Sequence, residues 1–377
     1  MSLLVGCAAL PDFPEQGSGQ WRPKPEIGPQ AGPQPQVPNA PGLPGTPQEP
    51  GSPQGSPPSP PGPPRGCDDP DPAVVATCLE PITAIAVLPG GRSALVAERG
   101  GRILRVEKGV DPVEVASVQV DAAGEAGLSG LALSPSYGED ELIFAYVTTA
   151  SENRVLRIAP GDEPKPVLAG IPRGSSGNSG ALGIDGTGAL MVATGDAGDP
   201  RSATDPASLA GKVLRIDTSG EAADDNPDPA SRVVAAGLHA PTGMCSGAVA
   251  GSTWITDDDG DRDLLHRVVP GQPLGEPEWV WPERPGASGC TVMQGRAQVP
   301  LADTASIFAL GLGPDGSFVG QPQTVPLPRY GRISAAAAGG GGVVWLGTSN
   351  TDGGKPISSD ERVLRLPNIV GGGGGRD

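Results

Sequence analysis

Gly101-Arg102-Ile103-Leu104-Arg105-Val106 returns along the chain as Asn153-Arg154-Val155-Leu156-Arg157-Ile158, as Gly211-Lys212-Val213-Leu214-Arg215-Ile216 and as Glu361-Arg362-Val363-Leu364-Arg365-Leu366. A weaker copy, Asp263-Leu264-Leu265-His266-Arg267-Val268, lies between the last two. The copies start at 101, 153, 211, 263 and 361, so the steps are 52, 58, 52 and 98 residues. The last step is two periods. It implies a degraded copy near residue 310 and a total of six. Self-similarity at such a period is the signature of a repeat architecture.

Working outward, each copy follows a second stretch with strand patterning: Ser93–Ala97, Glu141–Tyr146, Ala189–Ala193, Ser252–Thr256 and Val343–Gly347. Turn formers precede several of these, as in Pro89-Gly90-Gly91 and Asp185-Gly186-Thr187-Gly188. Short strands punctuated by glycine and proline at a long fixed period describe propeller blades. No helical period competes over a comparable length. The expectation is an all-β, six-bladed β-propeller over residues 67–370. Loops at one mouth of such a ring carry ligands.

Composition separates the rest of the chain from this domain. Of 46 prolines in 377 residues, 19 fall between residues 11 and 64. Residues 8–66 therefore read as a disordered Pro/Gly-rich tether, which at ~3.1 Å per residue would reach on the order of 180 Å. Residues 371–377 read as a flexible tail. Leu4-Val5-Gly6-Cys7 resembles a bacterial lipobox. Residues 1–7 then form a truncated signal with Cys7 as the lipidated residue; the other reading is an ordinary apolar N-terminus. The five cysteines divide into that thiol and two disulfides, Cys67–Cys78 and Cys245–Cys290. The alternative is five reduced thiols.

The formal charge of −17 repels phosphate backbones and disfavours nucleic-acid binding. No C-x-x-C pair, Walker loop, G-x-S-x-G or H-E-x-x-H sequence occurs, so thiolate zinc sites, NTPases, serine hydrolases and zincins lack support.

The third repeat, Ser179-Gly180-Ala181-Leu182-Gly183-Ile184 through Thr194-Gly195-Asp196-Ala197-Gly198 to Lys212-Val213-Leu214-Arg215-Ile216, resembles the glucose/sorbosone dehydrogenases. These are soluble six-bladed quinoproteins that use pyrroloquinoline quinone (PQQ). Gly127–Pro135, Asp225-Asn226-Pro227, Gly237–Gly243, Arg332-Ile333 and Thr348–Gly353 extend the likeness over roughly residues 78–367. It implies oxidation of a sugar hydroxyl, with PQQ and calcium as cofactors. It also implies Asn178, Asp196 and Arg332 as cofactor-binding candidates. The chain departs from the family pattern at the catalytic positions. Gly177 stands where the family has its general-base histidine, and Ser176 where it has an acidic neighbour. His239-Ala240 replaces an Arg-Asn pair, Ser334 replaces a second arginine, and the quinone-anchoring lysine has no match. Oxidising a hydroxyl needs a base for its proton, and a tricarboxylate quinone needs cations. The expectation is a family member whose catalytic base is lost.

His239 is the candidate replacement base; the other reading is a hydrogen-bonding surface residue. Asp196 either fixes a blade turn or touches ligand, and Arg332 either binds an anion or pairs with an aspartate. Asp257, Asp258, Asp259 and Gly260 lie in the densest acidic run and are the candidate metal ligands, against a solvated acidic loop. Trp279 and Trp281 either pack on the Cys245–Cys290 bridge or stack on a sugar. A non-catalytic binding propeller and a calcium-dependent lactone hydrolase are the competing functions. The expected setting is extracytoplasmic: a monomer anchored to the bacterial cell membrane as a lipoprotein, with no other membrane contact. Its partner would be a sugar-like small molecule or a cell-envelope protein.

Overall fold

The computed structural model describes residues 62–246 and 252–368. Cys7, the tail from 371 and nearly all of the expected tether lie outside the described residues. Six four-stranded antiparallel sheets form the propeller. The repeated sequence is the third strand of each blade: Arg102–Glu107, Asn153–Ile158, Lys212–Ile216, Asp263–Val268 and Val363–Pro367. The degraded copy is Ser306–Leu312, in blade 5. His266 thus lies on a third strand, one in from the blade's outer edge.

Second strands such as Ser93–Glu98, Ile143–Thr148 and Leu190–Thr194 are buried along their whole length. That is why they read as unbroken apolar runs: a sheet covered on both faces has no polar side to alternate with. The core is accordingly six separate clusters, each filling the gap between two neighbouring blades. Trp279 and Trp281 join Phe308, Cys245 and Cys290 in the cluster between blades 4 and 5. The packing reading holds for both tryptophans.

Both expected disulfides form. Cys245–Cys290 links the inner strand of blade 4 to the segment leading into blade 5. Cys67–Cys78 brackets Val74–Ala76, the outermost strand of blade 6, which pairs with Val363–Pro367. The two ends of the domain therefore share one sheet. Arg362, only 5% exposed, pairs there with Asp360 at 2.7 Å and Asp69 at 3.5 Å. Tyr330 donates its hydroxyl to Asp71 at 3.1 Å, and Ser359 donates to Asp69 at 2.9 Å.

A belt of hydroxyls joins the inner strands around the central channel. Thr83 donates to Leu128 O (2.6 Å), Ser129 to Gly180 O (2.9 Å), Thr242 to Ala287 O (2.7 Å), Ser288 to Ile333 O (3.1 Å) and Ser334 to Ile82 O (2.6 Å). In blades 1, 2, 4 and 6 the donor sits at a register shift of the inner strand. A bulge of this kind re-aims a side chain. Blade 3 keeps continuous register from Gly180 to Ile184 and has Ala181 at the matching position. The belt is interrupted between blades 3 and 4. Gly180 is required on the other side of this strand, toward blade 2, because a Cβ would lie 2.4 Å from the Tyr146 ring.

Candidate active site

The interrupted junction carries the cavity of interest. After the strand Leu190–Thr194 the chain turns at Asp196, whose backbone N–H donates to His239 O at 2.8 Å. Asp196 Oδ1 accepts from Gly198 N at 2.8 Å, and Oδ2 lies 3.0 Å from His239 Nδ1. One carboxylate oxygen fixes the turn, the first of the two expectations for Asp196, and the other orients an imidazole. A carboxylate can only accept, so Nδ1 donates and Nε2 is left as the acceptor. The His239 side chain is 35% exposed.

Asp257 holds His239 from behind. Its carboxylate accepts from His239 N (3.0 Å) and Ala240 N (2.7 Å). Burial pushes its carboxyl up to about 6 even though these amides favour the charged form. His266 Nε2 lies 3.8 Å from Asp257 Oδ2 and has no hydrogen-bond partner. Burial, followed by the proximity of His239, pushes His266 down to about 4.

The cavity in front of His239 has a volume of ≈ 380 Å³, at the small end of the ~300–1,000 Å³ usual for ligand sites. Glu125, Ser176, Gly177, Ser179, Asp196, Asp258 and Asp259 line it with His239. Gly177 has φ +62°, and a Cβ there would lie 2.6 Å from Asp196 Oδ1. The space a side chain at 177 would use is filled by the Asp196 carboxylate. Ser179 Oγ is buried without a hydrogen-bond partner.

The other candidates are placed elsewhere. Asn178 is buried and closes its own loop, with Gly174 N donating to Oδ1 (2.9 Å) and Nδ2 donating to Gly174 O (3.1 Å). Arg332 pairs with Asp303 and lines a different cavity with Arg329 and Lys355. Asn178, Asp196 and Arg332 therefore do not form one cofactor-binding set. Nor do Asp257, Asp258, Asp259 and Gly260 form a metal cage. Asp257 serves backbone amides, Asp258 pairs with Arg284 at 2.7 Å, Asp259 pairs with Arg262 at 2.6 Å, and Gly260 is a turn residue with φ +90°. Among the described residues no group of three or more His, Cys, Asp or Glu is placed to hold a metal ion. Asp225 and Asn226, part of the family likeness, clamp Arg215 of the third blade at 2.5 and 3.0 Å.

Glu125 and Ser179 escape a reading of the sequence as cavity residues, since neither carries a spacing signal. The Asp196–His239 pair spans 43 residues and is visible only once both loops are placed at the mouth.

The family model for glucose/sorbosone dehydrogenases matches residues 79–327. An aldose sugar dehydrogenase of Streptomyces coelicolor, solved in its PQQ-bound form, is 31% identical with a TM-score of 0.72. That match covers 78% of this chain and 96% of that one. A Thermus thermophilus oxidoreductase described as a glucose dehydrogenase is 30% identical with a TM-score of 0.71, over 78% of this chain and 98% of its own. The aldose sugar dehydrogenase of Escherichia coli is 26% identical over 220 residues, which is 52% of this chain and 59% of that protein. The chain thus spans less than two thirds of that curated relative. A match over most of the propeller, together with the six-bladed architecture, places this chain in the glucose/sorbosone dehydrogenase family.

Proposed function

We propose that this propeller binds a sugar-like polyhydroxylated molecule in the His239–Asp196 cavity. His239 Nε2 accepts the hydrogen bond of a ligand hydroxyl there and would take its proton in the sugar-hydroxyl oxidation that family membership suggests, the hydride passing to an acceptor supplied from outside this cavity. The observation that carries this reading is the 3.0 Å contact of Nδ1 with Asp196, beside a cavity of molecular size. An oriented imidazole with a free acceptor nitrogen is the usual form of a general base. The base position that the resemblance assigns to residue 177 is vacated by glycine, and the Asp196–His239 pair occupies its neighbourhood.

PQQ is the group that the family and the Streptomyces relative suggest. It carries three carboxylates. Among the described residues no lysine or arginine lines this cavity, and the nearby Arg262 and Arg284 are engaged by Asp259 and Asp258. The residues around His239 do not fit that group. The same charge pattern favours a second reading, a sugar-binding propeller without turnover.

The two disulfides support an extracytoplasmic location, because such bonds persist in oxidising compartments. From the lipobox-like Leu4-Val5-Gly6-Cys7 we propose further that the chain is held in the bacterial envelope through Cys7, as a monomer with a sugar-like ligand as its partner.

The deciding experiment gives aldoses to the purified protein with and without calcium and PQQ, following dye reduction and, by calorimetry, binding. His239→Asn is expected to lower turnover at least about 100-fold with little change in KM. Undiminished turnover in that variant removes His239 from the chemistry. Binding without turnover in the wild type selects the second reading.

A further inference from the structure

We infer that this cavity selects an amine-bearing sugar over sugar acids and sugar phosphates, an inference that rests on its being a sugar site. Two of its four lining carboxylates are neutralised in place, Asp258 by Arg284 and Asp259 by Arg262. Asp196 faces only the imidazole of His239 and a backbone amide. Glu125 is exposed at the rim, where its one protein contact is the Asn178 backbone N–H at 3.3 Å. The lining thus carries an excess of negative charge with no guanidinium or ammonium to offset it. An anionic ligand would meet like charge, whereas an ammonium would meet two carboxylates that lack a cationic side chain of their own.

An acidic lining alone does not define a site. The second observation is Ser179: the residue is only 6% exposed, it lines the cavity, and its Oγ has no partner among the described residues. A buried hydroxyl without a partner is costly unless something supplies the missing bond. A turn about the Cα–Cβ bond would present Oγ to a ligand hydroxyl in the cavity. Ser179 and His239 together then read hydroxyls, while Glu125 and Asp196 read the amine. The formal charge of −17 favours cations over anions around the protein as a whole.

Calorimetry on the full chain at pH 7 and low salt, where an amine is largely protonated, tests this with five probes: glucose, glucosamine, N-acetylglucosamine, gluconate and glucose 6-phosphate. Glucosamine is expected to bind about 10-fold tighter than glucose, an advantage that shrinks with added salt. N-acetylglucosamine, which keeps the nitrogen but not the charge, should fall back to the level of glucose. Gluconate and glucose 6-phosphate should bind more weakly than either. Glu125→Gln should reduce the advantage of glucosamine over glucose. Ser179→Ala should weaken both sugars alike while the melting temperature confirms folding. Glucose binding as tightly as glucosamine, or an anionic sugar binding best, overturns the inference and leaves the sugar site standing. No binding by any of the five overturns both.

Discussion

Two junctions in this ring solve the same problem in opposite ways. Where blade 6 closes the ring on blade 1 the fastening is redundant: a core cluster and the Ser334 hydroxyl join the two blades, and the Cys67–Cys78 bridge and the buried Arg362 network hold the outer strands of blade 6 itself. Between blades 3 and 4 the apolar cluster is present but the belt hydroxyl is missing, and the bulge that would aim it is missing as well. The loops there are joined by Asp196 and His239 instead, two side chains that also face a cavity. A junction fastened by apolar packing and inert hydrogen bonds leaves no polar group over for a ligand. One fastened by an imidazole and a carboxylate does. In this propeller the place where the structural stitching stops is the place where chemistry becomes possible.

The largest break in this comparison should come from Arg362→Ala. Removing the guanidinium leaves Asp360 and Asp69 buried without their cation, and losing one partner of a buried pair costs about 3–5 kcal/mol. Urea unfolding should show this loss. A change below 1 kcal/mol would mean that closure does not depend on the network.

Acid sharpens the cleft side. The folded state favours neutral His266, so its contribution is present in full above about pH 6.5 and is lost as pH falls through about 4. Asp257 runs the other way. Its protonated form is favoured, so its contribution is complete below about 3.8 and is lost as pH rises to about 6. The two partly cancel between pH 4 and 6 in the wild type. His266→Gln removes one side of that balance. Relative to wild type, the variant should gain on the order of 3 kcal/mol as pH drops from 7 to 4. Parallel stability curves for the two proteins across that range would refute the assignment.

The smallest effects compare the belt directly. Ser334→Ala should cost about 1 kcal/mol, the usual worth of one net hydrogen bond. Ala181→Ser should change stability by less than about 0.5 kcal/mol, because the continuous register of Gly180–Ile184 does not turn residue 181 toward blade 4. A gain near 1 kcal/mol in that variant would show that the bulge is dispensable and only the hydroxyl is needed.

The fold was legible in the sequence because the third strand of each blade meets nearly the same environment, so its residues recur. Arg102–Glu107 and Lys212–Ile216 show the same apolar positions around a central leucine. Blade 5 breaks the pattern, with Ser306–Leu312 apolar where the others carry arginine, and its place was recoverable only from the spacing. The belt was not legible. It is one hydroxyl per blade in strands whose other residues differ, and a single Ser or Thr carries no periodic signal. The site was half legible: His239 and Asp196 were each candidates, but their pairing depends on two loops meeting in space. What occupies the space beside Gly177 could not be read from the sequence: it is the Asp196 carboxylate. Asp257 shows the limit plainly. A carboxylate in an acidic run reads as a cation ligand, and it is in fact a buried acceptor for two backbone amides.

The strand Val74–Ala76 also sets a clock. It is made early in synthesis, yet its partner Val363–Pro367 is nearly the last part of the domain to appear, 290 residues after Val74 in the case of Leu364. At roughly 5–20 residues per second, a nascent chain keeps that first strand unpaired for on the order of 15–60 s. During that interval Val74 and Val75, buried in the finished ring, stay exposed beside a growing stack of open blades. The ring pays for its closure in waiting time.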